Sequence, residues 1–444
     1  MTLRIRDGLL VTMNDARDVV RGDLWIDGNR IVSVGAAPPG ARATETVDTI
    51  DAAGGIVLPG FIQTHIHLCQ TLFRGTADDR PLLAWLRQRI WPLEAAHTPP
   101  TLAAAARLAA AELMLGGTTT VLTMETVHDT DAVFEALVPT GLRAVVGKCL
   151  MDVRGEAPAR LHQTWRDGLD ESEALAKRWH GAADGRLRAA LAPRFAISCS
   201  RELLEAAAAM SAAGGWLVHT HASEQREEIA AVRASTGMDN IAYLAAVGLA
   251  SPRLCAAHCV HVTETEQDLL ARHDVKVLHC PGSNLKLGSG IAPVPEMKQR
   301  GICVSIGADG AACNNTLDMF HEMRLAATLQ AMRVGPGSLA APDVVWMATR
   351  EGARAIGLES EIGSLEAGKK ADVIVVRTDR PHHQPAGTDP YAQIVYACRP
   401  EDVQATIVDG RVVARAGSIM WADLGQVSHD GSEAARILLN RIQA

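Results

Sequence analysis

Long uncharged apolar runs are missing from this 444-residue chain, although 48% of it is hydrophobic. A membrane-spanning helix needs about 20 such residues in a row, so no spanning segment is expected. Basic residues do not predominate. Lys and Arg number 43 against 51 Asp and Glu, a net charge of −8, which argues against a nucleic-acid partner. The nine cysteines are an odd set without a Cys-X-X-Cys pair. Buried, reduced thiols are expected from them, not a disulfide framework. The chain opens directly on a strand-like pattern with no export leader, so a cytoplasmic protein is the expectation. No glycine fingerprint for a nucleotide follows any candidate strand, and neither an internal repeat nor a low-complexity linker is present.

What is there changes character along the chain. Residues 3–57 read as short strands with turn punctuation, at 3–5, 9–13, 23–28 and 31–35. The tail from about 365 alternates in the same way, at 371–376 and 405–413. Neither end has enough strands to bury a face alone, so 1–57 and 365–444 are expected to pair as two halves of one small β-sandwich. Between them, over 58–364, strands alternate with helices. Candidate strands lie at 61–68, 118–124, 143–151, 187–195, 216–222, 253–260, 275–280 and 303–308, with helices at 101–115, 200–213, 224–234, 264–272 and 317–331. Eight strands separated by helices predict an α/β fold, a (β/α)8 TIM-like barrel with its chemistry at the carboxyl ends of the strands. The Pro/His/Gly patch at 381–388 reads as a surface loop, with His382 and His383 outside any site.

Polar residues suited to a metal recur at these strand ends. His65 and His67 stand two apart in Phe61-Ile62-Gln63-Thr64-His65-Ile66-His67, where strand periodicity puts them on one face. His219-Thr220-His221 repeats the spacing at the fifth strand, with Glu224 three residues on. His258 lies in the sixth strand, His279 ends the seventh, and Asp309 follows the eighth. Neutral imidazoles with one carboxylate suit Zn²⁺ or Fe²⁺ and leave a position for water.

The segments Thr64–His67, His221–Glu224, Ala257–Cys259, His279–Asn284 and Ala308–Gly310 together resemble the amidohydrolase superfamily, in its branch of nucleobase and nucleoside deaminases and s-triazine hydrolases. The resemblance covers nearly the whole chain. It implies one divalent ion, zinc first and iron second, on His65, His67, His221 and Asp309. Binuclear relatives carry a bridging lysine at the fourth strand, where this chain has Pro193-Arg194-Phe195. By the same resemblance Asp309 accepts the proton of the attacking water, His258 stabilises the charge that develops, and Glu224 protonates the ring nitrogen and then the leaving amine. A homodimer or larger assembly is implied at family level.

For the substrate, a small purine-type heterocycle, the segments 67–70, 81–86, 146–152 and 192–200 are similar to guanine deaminases. That likeness implies that Gln70 and Arg194 hold the purine, with Arg194 directed at the O6 and N7 acceptors of guanine. Guanine is therefore the expected substrate. The segments 285–294 and 310–320 instead resemble deaminases of S-adenosylhomocysteine, methylthioadenosine or 5'-deoxyadenosine, and triazine chlorohydrolases. Glu94 matches a ribose-binding glutamate of the adenosine-type enzymes, and guanine deaminases often carry a glutamate there too. The adenosine-type enzymes and the triazine hydrolases are the alternative. A non-catalytic metal-binding scaffold is a further one, though no ligand or acid is missing.

Overall fold

The computed structural model describes residues 2–38, 48–153, 155–385, 387 and 389–443. The amino-terminal stretch forms β1 (Thr2–Val11), β2 (Val19–Asp27), β3 (Arg30–Gly35), β4 (Asp48–Asp51) and β5 (Ile56–Pro59). The runs 3–5 and 9–13 join in β1, whose register shifts between Ile5 and Gly8. Eight further strands then alternate with helices: β6 (Phe61–Ile66), β7 (Thr118–Met124), β8 (Arg143–Leu150), β9 (Leu187–Pro193), β10 (Val218–Ala222), β11 (Leu254–His258), β12 (Lys276–His279) and β13 (Val304–Ile306).

These eight strands pair in sequence order, and all are parallel. Their two edges then meet. The Thr64 hydroxyl donates to Ile306 O at 3.2 Å, and Asp309 N–H donates to His65 O at 3.0 Å. The approach is so close that a Cβ at Gly307 would lie 2.5 Å from His65 O. The result is the expected (β/α)8 barrel. Its strands read as continuous apolar and threonine runs because both faces are covered.

The carboxyl-terminal stretch supplies β14 (Val373–Val376), β15 (Val403–Val408), β16 (Arg411–Arg415) and β17 (Ser418–Ile419). β14 pairs with β5, so both chain ends build one continuous sheet, in the order β17-β16-β15-β14-β5-β1-β2-β3 with β4 beside β1. The sheet curls over its own core. Ala371 N–H donates to Asn29 O, and Ile5, Ile26, Val57, Val375 and Ile407 share one buried cluster. The run 405–413 breaks at Asp409-Gly410, whose φ values of 51° and 76° make the tight reversal between β15 and β16. Arg143, at the start of β8, fastens barrel to sheet: its Nε and Nη2 donate to the Asp372 carboxylate at 2.8 and 3.0 Å.

Two segments depart from the sequence reading. The end of 365–444 is a helix, Leu424–Gln443, which leaves the sheet. Its Ala434 and Leu438 pack with Leu93 and Ala104 of the barrel domain, and Gly431 sits against Leu108. Contacts at 427, 431, 434 and 438 follow helical spacing, not alternation. In the patch 381–388, Ala386 and Thr388 lie outside the described residues, but His383 is buried and not on the surface. Nε2 of His382 and of His383 stand 2.9 and 3.1 Å from Asp402 Oδ2. Arg380 N–H donates to His383 Nδ1, which puts the ring proton on Nε2 and makes that nitrogen a donor, unfit as a ligand. All nine cysteines are buried free thiols. Among the described residues no helix is long and apolar enough to cross a membrane.

Candidate metal centre and substrate pocket

Strand ends on one rim of the barrel bring the polar groups together. His65 lies in β6 and His67 just beyond it, His221 in β10, His258 at the end of β11, and Asp309 three residues past β13. Several of these ends are held in the left-handed region by non-glycine residues: Ser223, His258, Cys259 and Asp309 have φ between 47° and 72°. Such backbone persists only where its surroundings hold it, and it clusters at functional sites.

The four expected ligands converge. His67 Nδ1 bonds to Met124 O at 2.8 Å and His221 Nδ1 to Arg194 O at 2.7 Å. A carbonyl only accepts, so each ring carries its proton on Nδ1 and turns a bare Nε2 inward. These two Nε2 atoms lie 3.3 Å apart, and Asp309 Oδ1 is 3.3 Å from Nε2 of both His65 and His67. Burial pulls the pKa of all three rings down, that of His67 to about 3 and that of His221 well below its ordinary value. Neutral imidazoles result. Burial opposes charge on Asp309, yet its carboxyl still lies well below the usual range. Three lone pairs and a carboxylate aimed at one point, with no donor between them, fit a divalent cation. His65 Nε2 in particular is buried without a hydrogen-bond partner.

Glu224 and His258 stand beside this cluster. His258 Nδ1 bonds to Asn284 Oδ1 at 2.9 Å, and its Nε2 is 3.7 Å from Glu224 Oε2 and 3.9 Å from Asp309 Oδ2. Burial pushes Glu224 up to about 7, with His258 acting against it and Asp309 adding to it. A carboxyl so placed can hold or release a proton at neutral pH. Its backbone N–H donates to Glu228 Oε2 at 2.8 Å, and Ser289 Oγ donates to its Oε1 at 3.3 Å.

The three expected substrate contacts are also together, but in an unforeseen arrangement. Arg194 and Gln70 line the same cavity as His67, His221, Glu224, His258 and Asp309. Arg194, however, is taken up by Glu94, with Nη1–Oε2 at 2.5 Å and Nη2–Oε1 at 3.2 Å, while Gln70 Nε2 donates to Glu94 Oε1 at 3.0 Å. Both terminal nitrogens of the guanidinium expected to face O6 and N7 are thus bonded to a protein carboxylate. Gln70 Oε1 is left buried without a partner. It lies so near Gly310 that a Cβ there would stand 2.2 Å away. The apolar lining of the cavity comes from Leu82, Trp85, Leu86, Phe195 and Leu287.

The sequence reading assigns no role to Asn284, Ser283, Ser289, Glu228 or Glu125. Ser283 Oγ donates to Asp309 Oδ2 at 2.7 Å, and Glu125 accepts the Leu68 and Cys69 N–H groups just after His67. For Glu228 a signal existed, since it closes a capping box with Gln225 at the start of helix Arg226–Thr236.

Residues 56–413 match the model of the amidohydrolase family. The chain is 41% identical over 407 residues to the 5'-deoxyadenosine deaminase of Methanothermobacter thermautotrophicus, covering 91% of this chain and 92% of that one. It is 39% identical over 443 residues to the 5-methylthioadenosine/S-adenosylhomocysteine deaminase of Desulforudis audaxviator, covering 100% of both. A solved adenosine deaminase from Xanthomonas campestris with bound zinc superposes with a TM-score of 0.90 at 31% identity, over 99% of this chain and 98% of that one. These relatives share the adenosine-type name, and the expectation of guanine gives way to them. Members of this family bind a divalent metal, for which the His/Asp cluster is suited. By its match over residues 56–413 and by these relatives, the chain belongs to the amidohydrolase family, as a hydrolytic deaminase.

Proposed function

We propose that this chain deaminates a 6-aminopurine nucleoside of the 5'-deoxyadenosine or methylthioadenosine type. The observation that carries this reading is the Arg194–Glu94 pair. It ties both terminal guanidinium nitrogens to a carboxylate, which offsets the free positive charge that a 6-oxopurine would call for. The adenosine-type relatives support the same choice. The apolar wall of Leu82, Trp85, Leu86 and Leu287 suits a substituent without a 5'-hydroxyl.

The reaction adds water across the carbon that bears the amine: a C–O bond forms, the C–N bond breaks and ammonia leaves. A divalent ion on His65, His67, His221 and Asp309 would supply Lewis-acid activation of the water nucleophile. Asp309 accepts a proton from that water. Glu224, poised near neutrality, gives its proton to the adjoining ring nitrogen, takes the remaining proton of the added hydroxyl as the C=O forms and passes it to the departing amine, and the proton held by Asp309 then restores Glu224. His258, fixed by Asn284, faces the carbon under attack and stabilises developing negative charge. Gln70 Oε1 is the free acceptor for a substrate N–H or O–H. Ammonia release from a panel of adenine nucleosides, guanine and aminotriazines tests the assignment. Preference for guanine would overturn it.

A further inference from the structure

We infer that His219 is a positioning residue for the metal centre, setting the tautomer and the aim of His65. The two rings meet edge to face, with His65 Nδ1 2.6 Å from His219 Nε2 and an interplanar angle of 89°. On its other side His219 Nδ1 lies 3.2 Å from Thr123 O. That carbonyl only accepts, so His219 carries its proton on Nδ1 and offers a bare Nε2. His65 must then hold its own proton on Nδ1 to complete the bond. Its Nε2 is left bare, 3.3 Å from Asp309 Oδ1 and without a hydrogen-bond partner. The chain of bonds from Thr123 O through His219 to His65 therefore ends in a lone pair at the ligand position. Both rings are fully buried, so no solvent competes for these bonds.

The three histidine ligands are not oriented alike. His67 and His221 give their Nδ1 protons to main-chain carbonyls, which no substitution removes. His65 alone depends on a side chain. Without that acceptor, the His65 proton is free to move to Nε2, where it blocks the lone pair. Partners of this kind are worth typically 10–100-fold in metal affinity.

The inference rests on the proposed metal reading, and zinc competition with a chromophoric chelator on the full chain separates the two. Wild type should bind about one equivalent. His219→Phe keeps the ring volume but offers no acceptor, and should bind zinc ~10–100-fold more weakly at an unchanged circular-dichroism spectrum. His219→Gln can accept from His65 and donate to Thr123 O, and should recover much of the loss. Equal affinity in wild type and His219→Phe, or equal loss in the Phe and Gln variants, would overturn the inference while leaving the metal reading intact. A wild type without stoichiometric zinc would overturn both. Should His219→Phe not fold, nitrogen-15 histidine spectra of wild type decide: a proton on His219 Nδ1 and a bare, accepting His219 Nε2 are expected, and a proton on His219 Nε2 contradicts the inference.

Discussion

Arg194 and Glu94 form a buried two-point ion pair across 100 residues of sequence, with Gln70 bonded to the same carboxylate. Both side chains are almost wholly excluded from solvent. Burial opposes charge on Arg194, but Glu94 more than offsets it and raises the guanidinium's pKa. Arg194 lines the pocket as well as making this structural bond.

Removing one partner should therefore be costly. Arg194→Ala leaves the Glu94 carboxylate buried and uncompensated, and should lower unfolding free energy by about 3–5 kcal/mol. Urea denaturation measures it. The double variant Arg194→Met with Glu94→Leu should be far closer to wild type than the two single losses added together. Simple additivity would mean that the two groups do not stabilise each other.

The ligand and acid roles separate experimentally. His221→Ala should lose most of its metal by elemental analysis. Glu224→Gln should keep the metal and lose about 10²–10⁴-fold in kcat, as expected for a missing general acid. Near-normal turnover in Glu224→Gln would assign the proton transfer elsewhere.

Much of this site was legible in the sequence because strand geometry has a period of two. His65 with His67, and His219 with His221, could be placed on one face from spacing alone. Asp309 followed from its place after the last strand. What spacing could not reveal was pairing between distant segments. Nothing local to Arg194 announces that Glu94 occupies it, and nothing in His219-Thr220-His221 says which ring turns to His67 and which to His65. The pairing of the two chain ends was likewise foreseeable from their alternating runs, although they form one curled sheet where a sandwich was expected. Helix Leu424–Gln443 escaped notice because its contacts are with helix Pro99–Leu115 and its neighbours, so its pattern has meaning only in that packing.

Stability should also carry a pH signature from Glu322, a buried carboxyl that accepts from Gly282 N–H and Asn314 Nδ2. Burial pushes its pKa from 4.5 to about 8. Its folded form therefore binds a proton more tightly than its unfolded form does. The resulting stabilisation is complete below about 4.5 and is lost as pH rises through about 8. Glu322→Gln removes this dependence, so its Tm should gain on wild type steadily between those limits. A constant Tm difference across that range would show that Glu322 does not titrate there.

The clamp between barrel and sheet gives a prediction remote from the chemistry. Arg143→Ala strands the buried Asp372 carboxylate, which also accepts Asp409 N–H at 2.7 Å. A loss of about 3–5 kcal/mol in unfolding free energy is expected. Metal content and KM of the surviving folded protein should stay at wild-type values. A shift in either would mean that the sheet shapes the pocket.

The central claim is the substrate, and a steady-state comparison of ammonia release on zinc-loaded wild type tests it most directly. For 5'-deoxyadenosine or methylthioadenosine, kcat/KM should exceed that for guanine by at least ~10-fold, with the matching 6-oxopurine nucleoside as product. Guanine turned over faster than every adenine nucleoside, with xanthine as product, would contradict the account.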